Sequence, residues 1–598
     1  MHRTYFPQRY LSVPDFFILL VLLTLIYGIV ATGMEWQAEF HPVTVIDLSF
    51  LALPKYVLFS AVRGGTAYII SLVFTLVVGY VVAKSKTAEM FIIPLLDVLQ
   101  SIPVLGFLPG LVLGLISIFP RTNVGLELAA IIMIFTGQVW NMTFSYHSSL
   151  KSIPNDYREA ATIMGLTWLQ KLRRLELPFS AINLAWNSVM SMAGGWFFLS
   201  VCEAFTLGEQ EYRLPGIGAY MAVAIKQGNT KAMFMGVTAM LMLIIGLDFL
   251  LWRPVLAWVR RFRMDEVPGI ATSTTEPLMK IMLRESKIVR ILKLLYHRYL
   301  LNRLAELGTQ LDKASVGTSG PAFQSAREEP QIRQQVARRF VVTTIRSRGF
   351  LSLLRVSVSV ALTGVMVFGA WKLFLLLGGV DLRTWLMIIK NAIITLLKVG
   401  FVLVLSTLWA VPVGIWIGTS AKRIRWAQPL VQICASFPAP MLYPLVLGAC
   451  FWIGMDFNWS SMILMMLGAQ WYVLFNVLAG ALSVPQELKY ALSLMESSKW
   501  AIWKVLYIPS IFPALVTGWV SAAGGAWNAS IVSEYMAYNG TIHKAAGIGA
   551  TISQAAAGKQ LPVLAASLVV MVGLVLLLGR FVWSPIYHFA QTRYRMDI

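Results

Sequence analysis

Apolar stretches of about 20 residues or more, each long enough to carry a helix across ~30 Å of hydrocarbon, recur from one end of this 598-residue chain to the other. No other feature restricts its fold so severely. About twelve such runs are legible by a window argument, at 14-33, 57-83, 89-118, 126-146, 179-205 and 231-257, then at 351-378, 388-418, 424-453, 461-482, 510-534 and 561-588. With 57% hydrophobic and 13% charged residues and a mean hydropathy of +0.69, the chain lies far from a soluble globular balance. The expected fold is an all-α membrane protein. The first run is longer than a signal-peptide core and is followed by no small-residue cleavage site, so it is expected to be retained.

The net charge of +21 does not point to nucleic acid, because the basic residues alternate between loops. Arg3 and Arg9 precede the first run, Lys84 and Lys86 follow the second, and Lys151, Arg158, Lys171, Arg173 and Arg174 follow the fourth. Lys422, Arg423 and Arg425, then Lys489, Lys499 and Lys504, then Arg580, Arg593 and Arg595 repeat the pattern. Positive loops mark the cytoplasmic side, which places both termini in the cytoplasm.

That parallel exposes an internal repeat. The segment "SIPNDYREAATIMGLTWLQKLRRLELP", 152-178, lies over "SVPQELKYALSLMESSKWAIWKVLYIP", 483-509, without a gap. The same spacing pairs Gly137 with Gly468, Trp140 with Trp471, Phe144 with Phe475, Trp196 with Trp527, Glu203 with Glu534, and the "GIGA" at 216-219 with that at 547-550. "QSIPVLGFLP" at 100-109 matches "ASFPAPMLYP" at 435-444 after a small shift. Six runs in each half, starting on the same side, give parallel repeats related by an axis near the membrane normal. The expected domains are therefore 1-258 and 349-598. Between them, 259-348 reads as a cytoplasmic basic amphipathic helix that lies on lipid, followed by a connector rich in Gly, Ser and Pro.

The search for chemistry excludes several classes. No GxxxxGK[ST] loop occurs in the sequence. His2, His41, His147, His297, His543 and His588 are scattered, and Cys202, Cys434 and Cys450 lack metal or disulfide spacing. No metal site and no enzyme is expected. A secondary transporter with fused parallel repeats is the alternative transport reading; it calls for ionisable residues in mid-span, whereas Asp97, Glu203, Asp248 and Glu534 lie mostly towards run ends.

The polar segment 152-178 is helix-prone and bounded by prolines, which predicts two short helices broken near Gly165. Ala161 and Gly165, one turn apart, would form a bare face able to approach another protein, with Arg158 and Glu159 at its edge for charge pairing. "EAATIMG…LELP", carrying Glu159, Ala160, Ala161 and Gly165, resembles the EAA motif of permease subunits in binding-protein-dependent ABC importers of the type I fold. "QSIP" and "GGWFFLSVCEAF…LPGIGAYM" resemble the nitrate, taurine, sulfonate and bicarbonate branch. The resemblance implies two permease domains fused in one chain, a loop that docks on an ATPase in each half, and two ATPase subunits that bind the ATP and Mg. It further implies an extracytoplasmic solute-binding protein, a bacterial inner-membrane location, and a small anion as solute. The second loop departs from the motif: Tyr490, Leu492 and Glu496 stand where the first has Glu159, Ala161 and Gly165, and Ala491 alone matches within it.

The pathway is expected between the halves. Candidate lining residues are Ser101 and Pro103 with Ser436 and Pro438, where proline breaks the helical ladder, together with Trp140, Asn141, Trp471 and Tyr472. Counting ~1.5 Å per residue from Pro178 and Pro509 places Glu203 and Glu534 near the external edge. There each is expected to hold an outer gate or the turn leading to "GIGA", bonding backbone N–H groups; a carboxylate snorkelling to the interface is the plain alternative. Repulsion of an anion by free carboxylates argues against direct anion binding by them.

Overall fold

The computed structural model describes residues 13–101, 103–207, 210–262, 286, 364, 367–484, 488, 490, 492, 494 and 498–593. It is an all-α membrane protein apart from two short hairpins. The main helices of the first half are α1 (Val13–Gln37), α2 (Leu53–Lys84), α3 (Lys86–Ser101), α4 (Leu108–Ile118), α5 (Val124–Lys151), α6 (Asn155–Ile163), α7 (Leu177–Cys202), α8 (Ile217–Lys226) and α9 (Thr230–Leu247). Those of the second are α10 (Leu382–Gly418), α11 (Ala421–Ser436), α12 (Ala439–Trp452), α13 (Phe457–Leu482), α14 (Ile508–Ser533), α15 (Ile548–Ala557) and α16 (Leu561–Leu578). Antiparallel strands β1 (Ala204–Leu207) and β2 (Gln210–Arg213) follow α7, and β3 (Tyr535–Tyr538) and β4 (Thr541–Lys544) follow α14.

Among the described residues, eight helices are long and apolar enough to cross a membrane, or nine if a bent pair counts as one. The apolar runs at 89-118 and 424-453 are each broken at the proline where the ladder was expected to break. In the second half, Lys422–Ser436 and Ala439–Trp452 meet at 88°; in the first, α3 ends at Ser101 and α4 begins only at Leu108. The reason is local. Pro103 (φ −63°, ψ 110°) and Pro438 (φ −67°, ψ 110°) are extended and have no N–H to continue a helix. The expected run 351-378 is described only in part, as the short apolar helix Val367–Leu377, and the linker calls at 259-348 lie almost wholly outside the described residues.

The two halves share their irregularities as well as their helices. π-helical turns Leu172–Glu176 and Trp503–Tyr507 lead into α7 and α14, and turns Asp248–Trp252 and Gly579–Trp583 close α9 and α16. In each half a central helix, α5 or α13, packs between the first long helix and the one that follows the polar loop. Small residues set how closely these helices approach, since lipid supplies no hydrophobic drive and packing must. A Cβ added at Gly418 on α10 would stand 2.6 Å from the Ala481 Cβ on α13.

Between halves, α7 packs on α11 and α12, α9 on α11, and α3 on α16, while the turn Val104–Phe107 meets α14. Gly106 in that turn lies against Leu568 on α16, whose side chain would have to move to admit a Cβ there. One end of the molecule carries both hairpins, and the other carries the polar loops.

Candidate functional site

A cavity of about 170 Å³, open to solvent, lies between the halves and takes its walls from both. The repeat explains its residues. Trp140 and Asn141 on α5, and Trp471 and Tyr472 at the matched places on α13, all line it, as does Ser436 beside the bend of the second half. Pro103 and Pro438 do not line it themselves; their neighbours Val104, Phe437 and Ala439 do. α3 ends at Ser101. No Asp, Glu, Lys or Arg side chain contributes to the wall among the described residues; its polar groups are amides, hydroxyls and indoles.

Sequence reasoning did not find Gln100, Gln432 and Asn528, which also line the cavity. The Asn528 side chain accepts a hydrogen bond from Val104 N–H at 2.9 Å across the halves. That donor belongs to the bend after Pro103, so a side chain of one half satisfies backbone exposed by a break in the other.

Glu203 and Glu534 bond backbone N–H groups at the turn leading to "GIGA", the role expected of them, but from a buried position and not from the interface. Neither lines the cavity and both are 0% exposed, so each is buried inside its own half rather than set at a pathway mouth or snorkelling to water. Glu203 Oε2 accepts from Gly218 N–H at 2.7 Å, and Glu534 Oε2 accepts from Gly549 and Ala550 N–H at 2.9 and 3.3 Å. Each carboxylate therefore caps the N-terminus of the helix that starts in "GIGA", where backbone N–H groups and the helix dipole favour a negative charge. The first glycine of the motif has to be glycine: a Cβ at Gly216 or Gly547 would fall 2.3 or 2.2 Å from carboxylate atoms.

The counter-charges come from α2 in the first half and α10 in the second. Arg63 on α2 donates to Glu203, and through Nε and Nη2 to both oxygens of Glu127 at 2.7 Å each. Ser60 Oγ bridges Glu203 (2.6 Å) and Ile217 N–H (2.9 Å). In the second half Thr395 and Lys398 on α10 take these places. Thr395 bonds Glu534 and Ile548 N–H at 3.0 and 2.9 Å, and Lys398 Nζ reaches Glu534 at 3.2 Å and Ser461 Oγ at 3.4 Å. Arg63 and Lys398 were missed by sequence reasoning, although a lone cation inside an apolar run is itself a signal, being costly in hydrocarbon unless paired.

At the opposite end, the polar loop 152-178 begins as expected with helix α6 and breaks at Gly165, which adopts φ +64° and is exposed. The second short helix expected beyond that break does not stand apart. Trp168–Lys171 runs through the π turn into α7, because no proline or glycine interrupts it before Pro178, which is tolerated in the first turn. Glu159 and Ala160 are exposed, but Ala161 is buried at 5% against its own chain. The expected bare face of Ala161 and Gly165 is thus corrected: period 3.6 turns Ala161 inwards when Glu159 and Ala160 face out. Arg158 is also engaged, donating to Leu150 O at 2.7 Å at the end of α5. The exposed apolar surface is instead Ile163 (87%), Met164 (75%) and Trp168 (52%). In the second loop Tyr490 is exposed and Leu492 half-buried, whereas Ala491 and Glu496 lie outside the described residues.

Comparison with known proteins accounts for this arrangement. The family of binding-protein-dependent transport system inner membrane components matches twice, over residues 71–252 and 410–595, more than half of the chain. An ABC transporter permease protein of Methanocaldococcus jannaschii is 28% identical over 192 residues, 32% of this chain and 68% of its own. The taurine transport system permease protein of Escherichia coli is 26% identical, over 27% of this chain and 55% of its own. The nitrate import permease protein of Synechococcus elongatus is also 26% identical, over 25% of this chain and 52% of its own. The chain thus spans about half the length of the taurine and nitrate relatives. Two matched regions, each with a hairpin and a capped "GIGA" helix, place the chain in the family of binding-protein-dependent transport inner membrane components, as two type I ABC permease domains fused in one polypeptide.

Proposed function

We propose that this permease forms the translocation pathway of an ATP-driven importer of a small anion, working by alternating access between its halves. The observation that carries the reading is the cavity between the repeats, lined at matched positions by Trp140 with Trp471 and Asn141 with Tyr472. A pathway on the pseudo-axis of two parallel repeats is what rocking halves require. Its charge character supports the solute class. With no carboxylate in the wall and Glu203 and Glu534 held by Arg63 and Lys398, an anion meets neutral donors and no repulsion. Nitrate, named for one relative above, is such an anion, and taurine, named for the other, carries an anionic sulfonate beside its ammonium group.

In this reading 1-258 and 349-598 are the moving domains, and 259-348 connects them on the cytoplasmic side, where both termini lie. Two separate ATPase subunits bind ATP and Mg and dock on the loops at 152-178 and 483-509 of this inner-membrane protein. Glu159, Ala160 and Gly165 with the exposed Ile163 and Met164 offer the first surface, and Tyr490, Ala491, Leu492 and Glu496 the second. A solute-binding protein delivers the anion at the hairpin end. Reconstitution of the chain with its ATPase subunits and binding protein in liposomes tests this. Vanadate-sensitive anion uptake supports the reading, whereas uptake that follows an ion gradient and ignores ATP and vanadate overturns it in favour of secondary transport.

A further inference from the structure

Asp248 begins the π turn that closes α9 and is 8% exposed, and its carboxylate is engaged on both oxygens. Arg253 Nε donates to Oδ2 at 2.8 Å from five residues on, and Gln432 Nε2 donates to Oδ1 at 3.1 Å. Arg253 belongs to the same half, but Gln432 sits on α11 of the other half, and it lines the cavity. A charge-assisted chain therefore runs from a half-exposed cation, through a buried anion, to a side chain of the pathway wall.

The chemistry of the bond fixes an orientation. A carboxylate only accepts, so the amide nitrogen of Gln432 is the atom held at Asp248. The carboxamide of a cavity residue in one half is thus set by an acid in the other. The repeat does not duplicate this device: at the matched π turn, Gly579 stands for Asp248 and Ser584 for Arg253. A cross-half bond of another kind, Val104 N–H to Asn528 Oδ1 at 2.9 Å, stands nearer the hairpin end of the same cavity.

We propose that Asp248 is a positioning residue of the transport pathway, a one-sided latch that ties the halves together at the cavity wall and holds Gln432 in its working orientation. Rocking of the halves moves α9 against α11 and so has to strain or part this bond. That second clause rests on the alternating-access reading, whereas the latch itself does not.

A reciprocal exchange tests it. Gln432→Glu alone sets two carboxylates against each other. Asp248→Asn with Gln432→Glu reverses donor and acceptor, conserves net charge, and leaves the introduced amide oxygen to accept from Arg253. Thermal unfolding of the full chain in detergent, read over the four-member cycle, needs no transport. The latch requires that the exchange recover most of what Gln432→Glu loses, and additive losses overturn it. In proteoliposomes carrying the ATPase subunits and binding protein, Asp248→Ala, which frees Gln432 without placing a carboxylate in the wall, is expected to change KM, or the ATP hydrolysed per anion moved, by about tenfold, and Asp248→Glu to stay within about threefold of wild type. A stable Asp248→Ala variant that transports as wild type does overturns the positioning role. If the wild-type complex moves no anion with ATP, the transport reading fails, and the unfolding cycle still decides the latch.

Discussion

Although Glu203 and Glu534 are matched by the repeat and cap matched helices, their removal should not cost the same. In the first half Arg63 holds two carboxylates, and it grips Glu127 with both Nε and Nη2 at 2.7 Å. Glu203→Gln therefore leaves the cation fully compensated. It also takes one negative charge from a buried cluster that carries two for a single positive, and the new amide oxygen can still accept from Gly218 N–H. The loss is one charged acceptor among several bonds, about 1–2 kcal/mol. In the second half Lys398 pairs with Glu534 and otherwise reaches the Ser461 hydroxyl at 3.4 Å. Glu534→Gln strands an ammonium that is 7% exposed. Breaking a buried pair in this way costs about 3–5 kcal/mol, here near the lower end because the amide oxygen still accepts. Arg63→Met, which leaves Glu127 and Glu203 facing each other without a cation, should cost more than either. Thermal unfolding of the purified variants, followed by the surviving monodisperse fraction in detergent, ranks them. The expected order of stability is wild type, Glu203→Gln, Glu534→Gln, Arg63→Met. Equal losses for the two glutamine variants, or a larger one for Glu203→Gln, would refute the reasoning.

Gly165→Trp adds bulk with nothing within 4 Å but strains a turn at φ +64°, so it should weaken recovery of the ATPase in pull-down while membrane insertion is unaffected; Ala161→Arg, at a buried site, should destabilise the loop further. Trp140→Ala and Trp471→Ala should slow anion uptake with the ATPase still bound, as measured in proteoliposomes, since both line the cavity and neither lies near the polar loops. Lys226 and then Arg213 hold the Glu211 carboxylate below its usual range at the first hairpin. Because that pKa is depressed on folding, the stabilisation is present above about 4.3 and is lost as pH falls through the folded value. Hydrogen exchange in β1 and β2, corrected for intrinsic rates, should therefore rise as pH drops below about 4, and Glu211→Gln should abolish that rise.

Much of this was legible because membrane insertion writes itself into length and charge. The apolar runs gave the helices, and one constant spacing from Gly137 and Gly468 to the two "GIGA" motifs gave the repeat. The same spacing drew attention to Trp140 with Trp471, because a position kept in both halves near a pseudo-axis faces its own copy. What was missed depends on distance in three dimensions. Arg63 meets Glu203 only after two helices and a hairpin have closed on each other, and nothing near Arg63 in sequence marks that meeting. Ala161 was misjudged for a different reason: helical period fixes which residues share a face, but the chain's own packing decides which face turns outwards.

Fusion explains where the halves differ. Two identical subunits around a two-fold axis present the same residue on both sides of every contact, so neither can specialise. In one chain each copy is free to diverge, and the differences fall where the halves meet or are braced. Asn528 captures the Val104 N–H across the interface, whereas its matched residue Phe197 packs with Tyr443 and its neighbours on the bent pair of the other half. Arg63 with two glutamates is answered by Lys398 with one, and Asp248 by Gly579. The first polar loop keeps the motif and the second has lost most of it. Apart from Asn528, these changes shift polar contacts towards the first half and leave the second with fewer. Two halves braced so unequally should not yield together, and labels on α8 and α15 that moved in equal amounts during the transport cycle would contradict that asymmetry.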